Sequence, residues 1–589
     1  MKTIWGAIAF TSIMLGRINL DMSVAASEKP LYLAYPPNNH QTTSDKIFFI
    51  GSASASGEVL INGQPIQRSQ AGYFAPSFPL KMGNNIFTLR HENQEIKLKV
   101  TRIANTPTIP IGVAFAKDSL APSLDIARMP NESICFSAIA PANATVSVRL
   151  GDRIIPLFPQ SQTVQLPPNS AVLTSTNQPT ISREGNYQGC STFSTIGNLG
   201  NPIFQLSFNG QTISQQGTGK IEILPSDGLQ VIEVIAQSGV ARTGPSTDRS
   251  RLTPLPKGTI ASVTATEGEW LRLDYGGWIK REETRSLPHN IPPKSLIRGV
   301  NYQQVGGATE ITFPLQVPVP IRIQQGEKRL VLTLYNTTAQ TDTIRLDDDP
   351  IIKRLDWQQI APGQVEYTFN LKSEQQWGYD VKYQGTNLIL TLRHPPQQLK
   401  QNSTPLQGIK ILLDPGHGGT ETGARGPNGY TEKEVNLVVS KLLEKELIKR
   451  GATVYLTRED DREISLVERV DTINKIKPTV ALSIHYNALP DWGDAINTKG
   501  VGMFWYHAQA HSLAIFLHNY LVAKLNRPSY GVFWNNLALT RPHITPSVLL
   551  ELGFMINPDE FEWIENRQEQ AKLAQILADG IVEWFATVN

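Results

Sequence analysis

A chain of 589 residues is too long for one hydrophobic core, and its length sets an expectation of roughly three to five domains. A formal net charge of +2 carries no electrostatic footprint for nucleic acid. Two cysteines, Cys135 and Cys190, argue against a disulfide scaffold and cannot build a structural zinc site by themselves; one disulfide and two separate thiols both remain open.

At the amino terminus, Lys2 precedes a mostly apolar run from Ile4 to Leu15, and the small residues Val24, Ala25 and Ala26 follow. Residues 1–26 read as a secretory signal peptide cut after Ala26. The run is short for a bilayer span, and Arg17 and Asp21 make the region behind it polar, with uncleaved anchoring as the alternative. No other stretch approaches ~20 apolar residues. The expectation is export across the inner membrane to the periplasm or cell envelope, with no membrane span once the signal is removed.

Residues 28–104 show short alternating runs. Val59 to Ile61 enter Asn62-Gly63, a hairpin signal, and Gly83-Asn84-Asn85 reads as the next turn. The pattern resembles an immunoglobulin-like β-sandwich. Residues 105–226 read as a second β-rich domain, with Val146 and Val148 on one strand face and a long loop from Pro159 to Gly200. In 228–285, short strands between Gly turns, with Trp270 and Trp278 at strand positions, resemble a bacterial SH3-like barrel; both tryptophans are expected in its core. A Pro-rich linker follows. Residues 298–395 alternate again at Glu310–Val317, Leu330–Tyr335 and Asn387–Leu392, and resemble the AMIN β-sandwich that targets enzymes to the envelope. Asp347 to Asp349 lack the ligand spacing and glycine of a calcium loop and read as a solvated turn.

After a second linker around Pro395 to Pro405 the pattern changes: strands alternate with long helices, the mark of an α/β domain with a mostly parallel sheet flanked by helices, over 407–589. The apolar run Ile411 to Leu413 ends in Asp414, Pro415 and Gly416, with His417 at the apex of a Gly-rich loop. Thr431 to Glu434 form a capping box, so Glu432 stands in a helix first turn. Val480 to His485 is a strand ending in histidine, and Ser547 to Glu551 a strand ending in glutamate. In a parallel sheet these ends share one edge. Two histidines and one carboxylate form the donor set of a catalytic zinc, and a second carboxylate is needed to carry the proton of the attacking water. Glu551, inside Leu-Leu-Glu-Leu-Gly, suits that proton-carrying role because desolvation raises its pKa. The residues alone leave open which glutamate binds metal.

Four segments carry a close resemblance: Asp414 to Gly419, Glu432 to Leu437, Ser483 to Ala488, and Leu550 to Asn557. Their order and sequence resemble the zinc-dependent N-acetylmuramoyl-L-alanine amidases across 409–587. That resemblance implies His417, Glu432 and His485 as ligands of one Zn2+, Glu551 as catalytic glutamate, and no other cofactor. The implied reaction is hydrolysis of the amide between N-acetylmuramic acid and L-alanine in peptidoglycan. Some envelope amidases of this family carry an inserted helix that blocks the site; Leu489 to Lys499 is too short for one, so no activator protein is expected. Two rival readings are a zinc peptidase acting on another wall amide and a non-catalytic wall-binding protein. His507 and His511, four apart, read as a solvated pair, and Arg541 stands outside the catalytic set.

Overall fold

The computed structural model describes residues 29–104, 109–160, 163–165, 180–182, 185–397 and 404–588. The signal segment 1–26 and part of the linker around 395–405 lie outside the described residues. No helix among the described residues is long and apolar enough to cross a membrane.

Before residue 394 the described residues are strand, turn and coil, apart from a single 3-10 turn at Arg281–Glu283. In 29–104, a five-stranded and a three-stranded sheet enclose Ile47, Phe49, Phe74, Phe87 and Leu98. The Asn62-Gly63 hairpin forms as expected: both residues take positive φ, and Leu60 pairs with Pro65. Gly83 to Asn85, expected as a turn, instead open the strand Gly83–His91, because Asn84 and Asn85 pair with Thr101 and Val100. The expected long loop from Pro159 to Gly200 also shrinks. Asn186–Thr192 is a strand beside Ser133–Ile139, and Cys135 and Cys190 stand opposite each other there, joined as a disulfide. Gly, Ser and Thr in that strand hide its alternation, although Tyr187 points into the core.

The boundary read near 227 is crossed by one sheet. Strand Ile260–Glu267 pairs at its start with Val231–Val234 and at its end with Ile126–Arg128. Trp270 and Trp278 are buried, as expected of core residues, and pack with Ala265. Residues 295–393 form two four-stranded sheets over a shared core that includes Phe313, Tyr367 and Phe369. Asp349 is not part of a solvated turn. It is 1% exposed and accepts hydrogen bonds from the Thr309 and Tyr302 hydroxyls and from the Ile351 and Ile352 amides, which tie down the loop between the two sheets.

The last domain runs β1 (Lys410–Pro415), α1 (Glu432–Lys449), β2 (Thr453–Leu456), α2 (Leu466–Ile476), β3 (Val480–Asn487), β4 (Val501–Trp505), α3 (Ala508–Leu525), β5 (Ser529–Trp534), β6 (Ser547–Phe554), α4 (Pro558–Ile564) and α5 (Arg567–Val588). Strands lie in the order β2-β1-β3-β6-β4-β5. All neighbours are parallel except β4 against β6, so the sheet is mixed, and β4 and β5 run backwards. Parallel strands covered on both faces bury every side chain, which is why β1 and β3 read as continuous apolar runs. Val435, Val439, Leu443 and Leu447 of α1 and Leu573, Leu577, Ile581 and Trp584 of α5 close the core.

The 295–393 sandwich is fastened to this domain at the edge where β3 and β6 begin. Arg393 donates to the carbonyls of Pro478 and Ile544 at 2.7 and 2.8 Å, and Trp377 packs against Trp584 and Phe585. The opposite edge, where β1, β3 and β6 end, carries the candidate site.

Candidate active site at the sheet edge

Three parallel strands end side by side. Pro415 pairs with Ile484, and His485 pairs with Glu551, so β1, β3 and β6 each deliver one residue to the same edge. Glu432 arrives from α1. Its helix begins as expected, with the Thr431–Glu434 capping box.

His417, Glu432 and His485 come together, with one nitrogen or carboxylate oxygen of each within 4.8 Å of the others. His417 Nε2 is 3.1 Å from Glu432 Oε2, and His485 Nδ1 is 2.9 Å from Oε1. The backbone amides of Ala424 and Tyr486 and the Asn436 side chain also donate to Glu432. Burial would push the Glu432 carboxyl up, but the two imidazoles outweigh it and hold the group well below the carboxylate range. Burial likewise opposes charge on His417, and the carboxylates of Glu432 and Glu421 more than offset it. Two imidazoles and a carboxylate that is held ionised fit the donor chemistry of a catalytic zinc.

Glu551 sits beside this cluster with a different environment. Burial, and then the charge of Glu432, push its pKa well above the usual value. Its Oε2 is shielded from solvent and has no hydrogen-bond partner among the described residues. One edge therefore holds two glutamates shifted in opposite directions: Glu432, held down by the imidazoles, and Glu551, pushed up by burial and the Glu432 charge.

The loop carrying His417 is under strain and is braced for it. His417 itself adopts a φ of +59°, a left-handed conformation rare outside glycine. Three carbonyls of that loop accept from two buried arginines: Pro415 from Arg458 and Arg469, Gly416 from Arg458, and His417 from Arg469. Asp414, 1% exposed, pairs with Arg469 at 2.6 Å and accepts from the Thr457 and Ser483 hydroxyls. Sequence reasoning missed these supports, although an arginine at the end of strand β2 was a signal for Arg458.

Gly416 has a steric duty. A Cβ there would lie 2.2 Å from the His485 ring, and the residue has no positive φ to confound the test. Gly416→Ala should displace His485 and weaken any metal binding at this cluster by at least about tenfold, in line with the loss seen when the support of a ligand is disturbed. Competition against a fluorescent chelator measures it.

The remaining candidates lie elsewhere. His507 is not a solvated residue. It caps α3, its Nε2 meets the Arg541 carbonyl at 2.8 Å, and burial followed by the nearby His543 pushes its pKa down to about 3. His511 is exposed, one helical turn on, and shares no metal site with it. Arg541 lies in the loop entering β6, at the edge opposite His417.

The four segments around His417, Glu432, His485 and Glu551 lie within the stretch that matches known proteins. Residues 411–583 match the family of N-acetylmuramoyl-L-alanine amidases. The chain is 34% identical over 194 residues to the probable cell wall amidase LytH of Staphylococcus epidermidis, covering 33% of this chain and 64% of that protein. For LytH of Staphylococcus aureus the figures are 36% over 188 residues, 32% and 62%. The chain thus spans less than two thirds of the length of these relatives. Among solved structures, the catalytic domain of CwlV, an N-acetylmuramoyl-L-alanine amidase from Bacillus (Paenibacillus) polymyxa, is 29% identical, with 31% of this chain and 99% of that one covered and a TM-score of 0.29. AmiC2 of Nostoc punctiforme, also an N-acetylmuramoyl-L-alanine amidase, is 27% identical with the same coverage and TM-score.

Proposed function

We propose that the protein is a peptidoglycan hydrolase that cleaves the amide between N-acetylmuramic acid and the L-alanine of the stem peptide. The observation that carries this reading is the meeting of His417, Glu432 and His485 beside Glu551 at one sheet edge, inside the amidase-family domain. His417, Glu432 and His485 would hold a single zinc ion. When bound, zinc supplies a Lewis acid and lowers the pKa of a water to about 7. Glu551 takes the proton from the attacking water and returns it to the departing amine of L-alanine. Burial and the Glu432 charge raise the Glu551 pKa, which strengthens it as the base of the first transfer. The Asp414–Arg469 pair and Arg458 hold the His417 loop so that its imidazole needs no rearrangement during the reaction.

In this reading the upstream modules, the SH3-like unit and the AMIN-like sandwich among them, bring the domain to the wall, and the signal segment places the chain in the envelope. The β3–β4 connection, Leu489 to Lys499, is coil and turn with no helix, which supports a site that needs no separate activator.

Purified peptidoglycan incubated with the full chain tests the reading. Release of peptides that begin with L-alanine, abolished by a chelator and restored by zinc, is the expected result. Cleavage between amino acids would make the protein a peptidase, and no cleavage would leave a wall-binding protein.

A further inference from the structure

The first module of the chain packs against the last domain on the same edge that carries His417, His485 and Glu551. Residues 32–75 touch the connections that leave β1, β3 and β6 at that edge. In the loop after β1, a Cβ on Gly429 would lie 2.9 Å from the Tyr32 hydroxyl oxygen. After β6, the Tyr73 ring meets Phe561 of α4 at 5.1 Å, its hydroxyl donates to Glu565, and the Ala71 amide donates to Glu562 at 2.7 Å.

The third contact is the most telling. The β3–β4 loop, residues 488–500, leaves β3 three residues after His485 and re-enters the sheet at β4, where Gly502 stands opposite Glu551. It carries no helix or strand; a few internal turn bonds, such as Gly493 to Pro490 and Thr498 to Asp494, shape it, and contacts from other segments seat it. Its later half is held within its own domain: Asn557 donates to the carbonyls of Ala495, Ile496 and Thr498, and Glu560 accepts the Gly500 amide. Its earlier half is held by the module. The Tyr35 hydroxyl donates to Asp491, and His40 Nε2 lies 2.9 Å from the same carboxylate. Phe48, Ile50 and Ala75 share one apolar cluster with Ala495, Phe554 and Ile556. Burial would push the Asp491 carboxyl up, but bonds from Thr42, Tyr35 and His40 more than offset it, so the charge is held rather than tolerated.

We propose that the module of residues 29–104 is an intramolecular clamp that orders the β3–β4 loop and so positions His485 and Glu551 for hydrolysis, with Asp491 as its chief positioning residue. The clamp's role in catalysis rests on the amidase reading. The first module then belongs to the hydrolytic apparatus and not only to targeting. The loop leaves the strand that carries His485 and enters the strand paired with Glu551, so a flexible loop would let both residues shift, and errors of about 1 Å at a reacting centre cost up to about a hundredfold in rate.

Two full-length variants test it from opposite sides. Asp491→Ala removes the acceptor from the loop without touching the core of the module. Ala75→Arg, at a fully buried position, drives a side chain into the shared cluster. Hydrogen exchange in peptides spanning 488–500, bound zinc, and kcat/KM on purified peptidoglycan are measured together. Exchange in Gly83–His91 and Gln94–Arg102 checks that the module is still folded. Both variants should speed exchange in 488–500 by about tenfold and lower kcat/KM by about tenfold, with bound zinc retained. Asp491→Asn keeps an acceptor for Tyr35 and should keep most of the activity. Unchanged exchange in 488–500 overturns the clamp, and so does faster exchange with unchanged kcat/KM. If wild type releases no peptide beginning with L-alanine, the amidase reading fails and the catalytic role falls with it, while the exchange arm alone still decides whether the module orders the loop.

Discussion

Glu551→Gln should lower kcat/KM on peptidoglycan by about 10²–10⁴, the range for losing a positioned general acid–base group, while the protein remains folded and keeps its zinc. The fold is spared because the wild-type carboxyl is an uncomfortable group. Burial and the neighbouring Glu432 charge both disfavour its ionised form, and its Oε2 has no partner among the described residues. A neutral amide of the same shape relieves that repulsion. Zinc is spared because Glu551 is not one of the three groups that meet at the metal cluster. Metal analysis and steady-state kinetics on one preparation separate the two effects. Activity within about threefold of wild type would remove Glu551 from the proton-transfer role.

Asp414→Ala should cost about 3–5 kcal/mol of local stability, the usual consequence of leaving one member of a buried ion pair alone. Arg469 is 2% exposed and would face the interior without its carboxylate. The same arginine donates to the carbonyls of Pro415 and His417, so the strained His417 loop should loosen as well. Because the chain is multidomain, hydrogen-exchange protection in β1 and β3 is the proper measure rather than one unfolding midpoint. The pH dependence follows from the direction of the shift. Burial alone would raise the pKa, but Arg469 and the Ser483 and Thr457 hydroxyls more than offset it, so the Asp414 pKa lies below its ordinary value of 3.8. A depressed carboxyl stabilises the fold above its unfolded pKa and loses that contribution as pH falls through the folded one. Protection in β1 should therefore decline only below the ordinary value, and Asp414→Asn should abolish that decline. Equal acid sensitivity in wild type and Asp414→Asn would contradict the account.

Local chemistry made much of the last domain legible. The β1 run, the Thr431–Glu434 box and the strands through His485 and Glu551 are encoded by residues only a few positions apart and all form, although β3 runs on to Asn487 and β6 to Phe554, beyond the ends expected at His485 and Glu551. His507 failed because exposure was inferred from its place at a helix start. The burying surfaces, Tyr379 and His543, come from distant segments. The long loop in the second β region failed because a strand of Gly, Ser and Thr shows too little hydrophobic contrast for its alternation to register.

The sequence by itself determined where the four candidate residues fall: turns, caps and apolar runs place His417, Glu432, His485 and Glu551 at or near element ends. Only the tertiary structure decided how they are supported. Arg469 lies 55 residues from Asp414, and Tyr35 lies 456 from Asp491. Periodicity and turn chemistry act over a few residues. The backward run of β4 and β5, the arginine braces beneath His417 and the seat of the first module against the catalytic edge arise from packing between segments far apart in the chain, where no local pattern reaches.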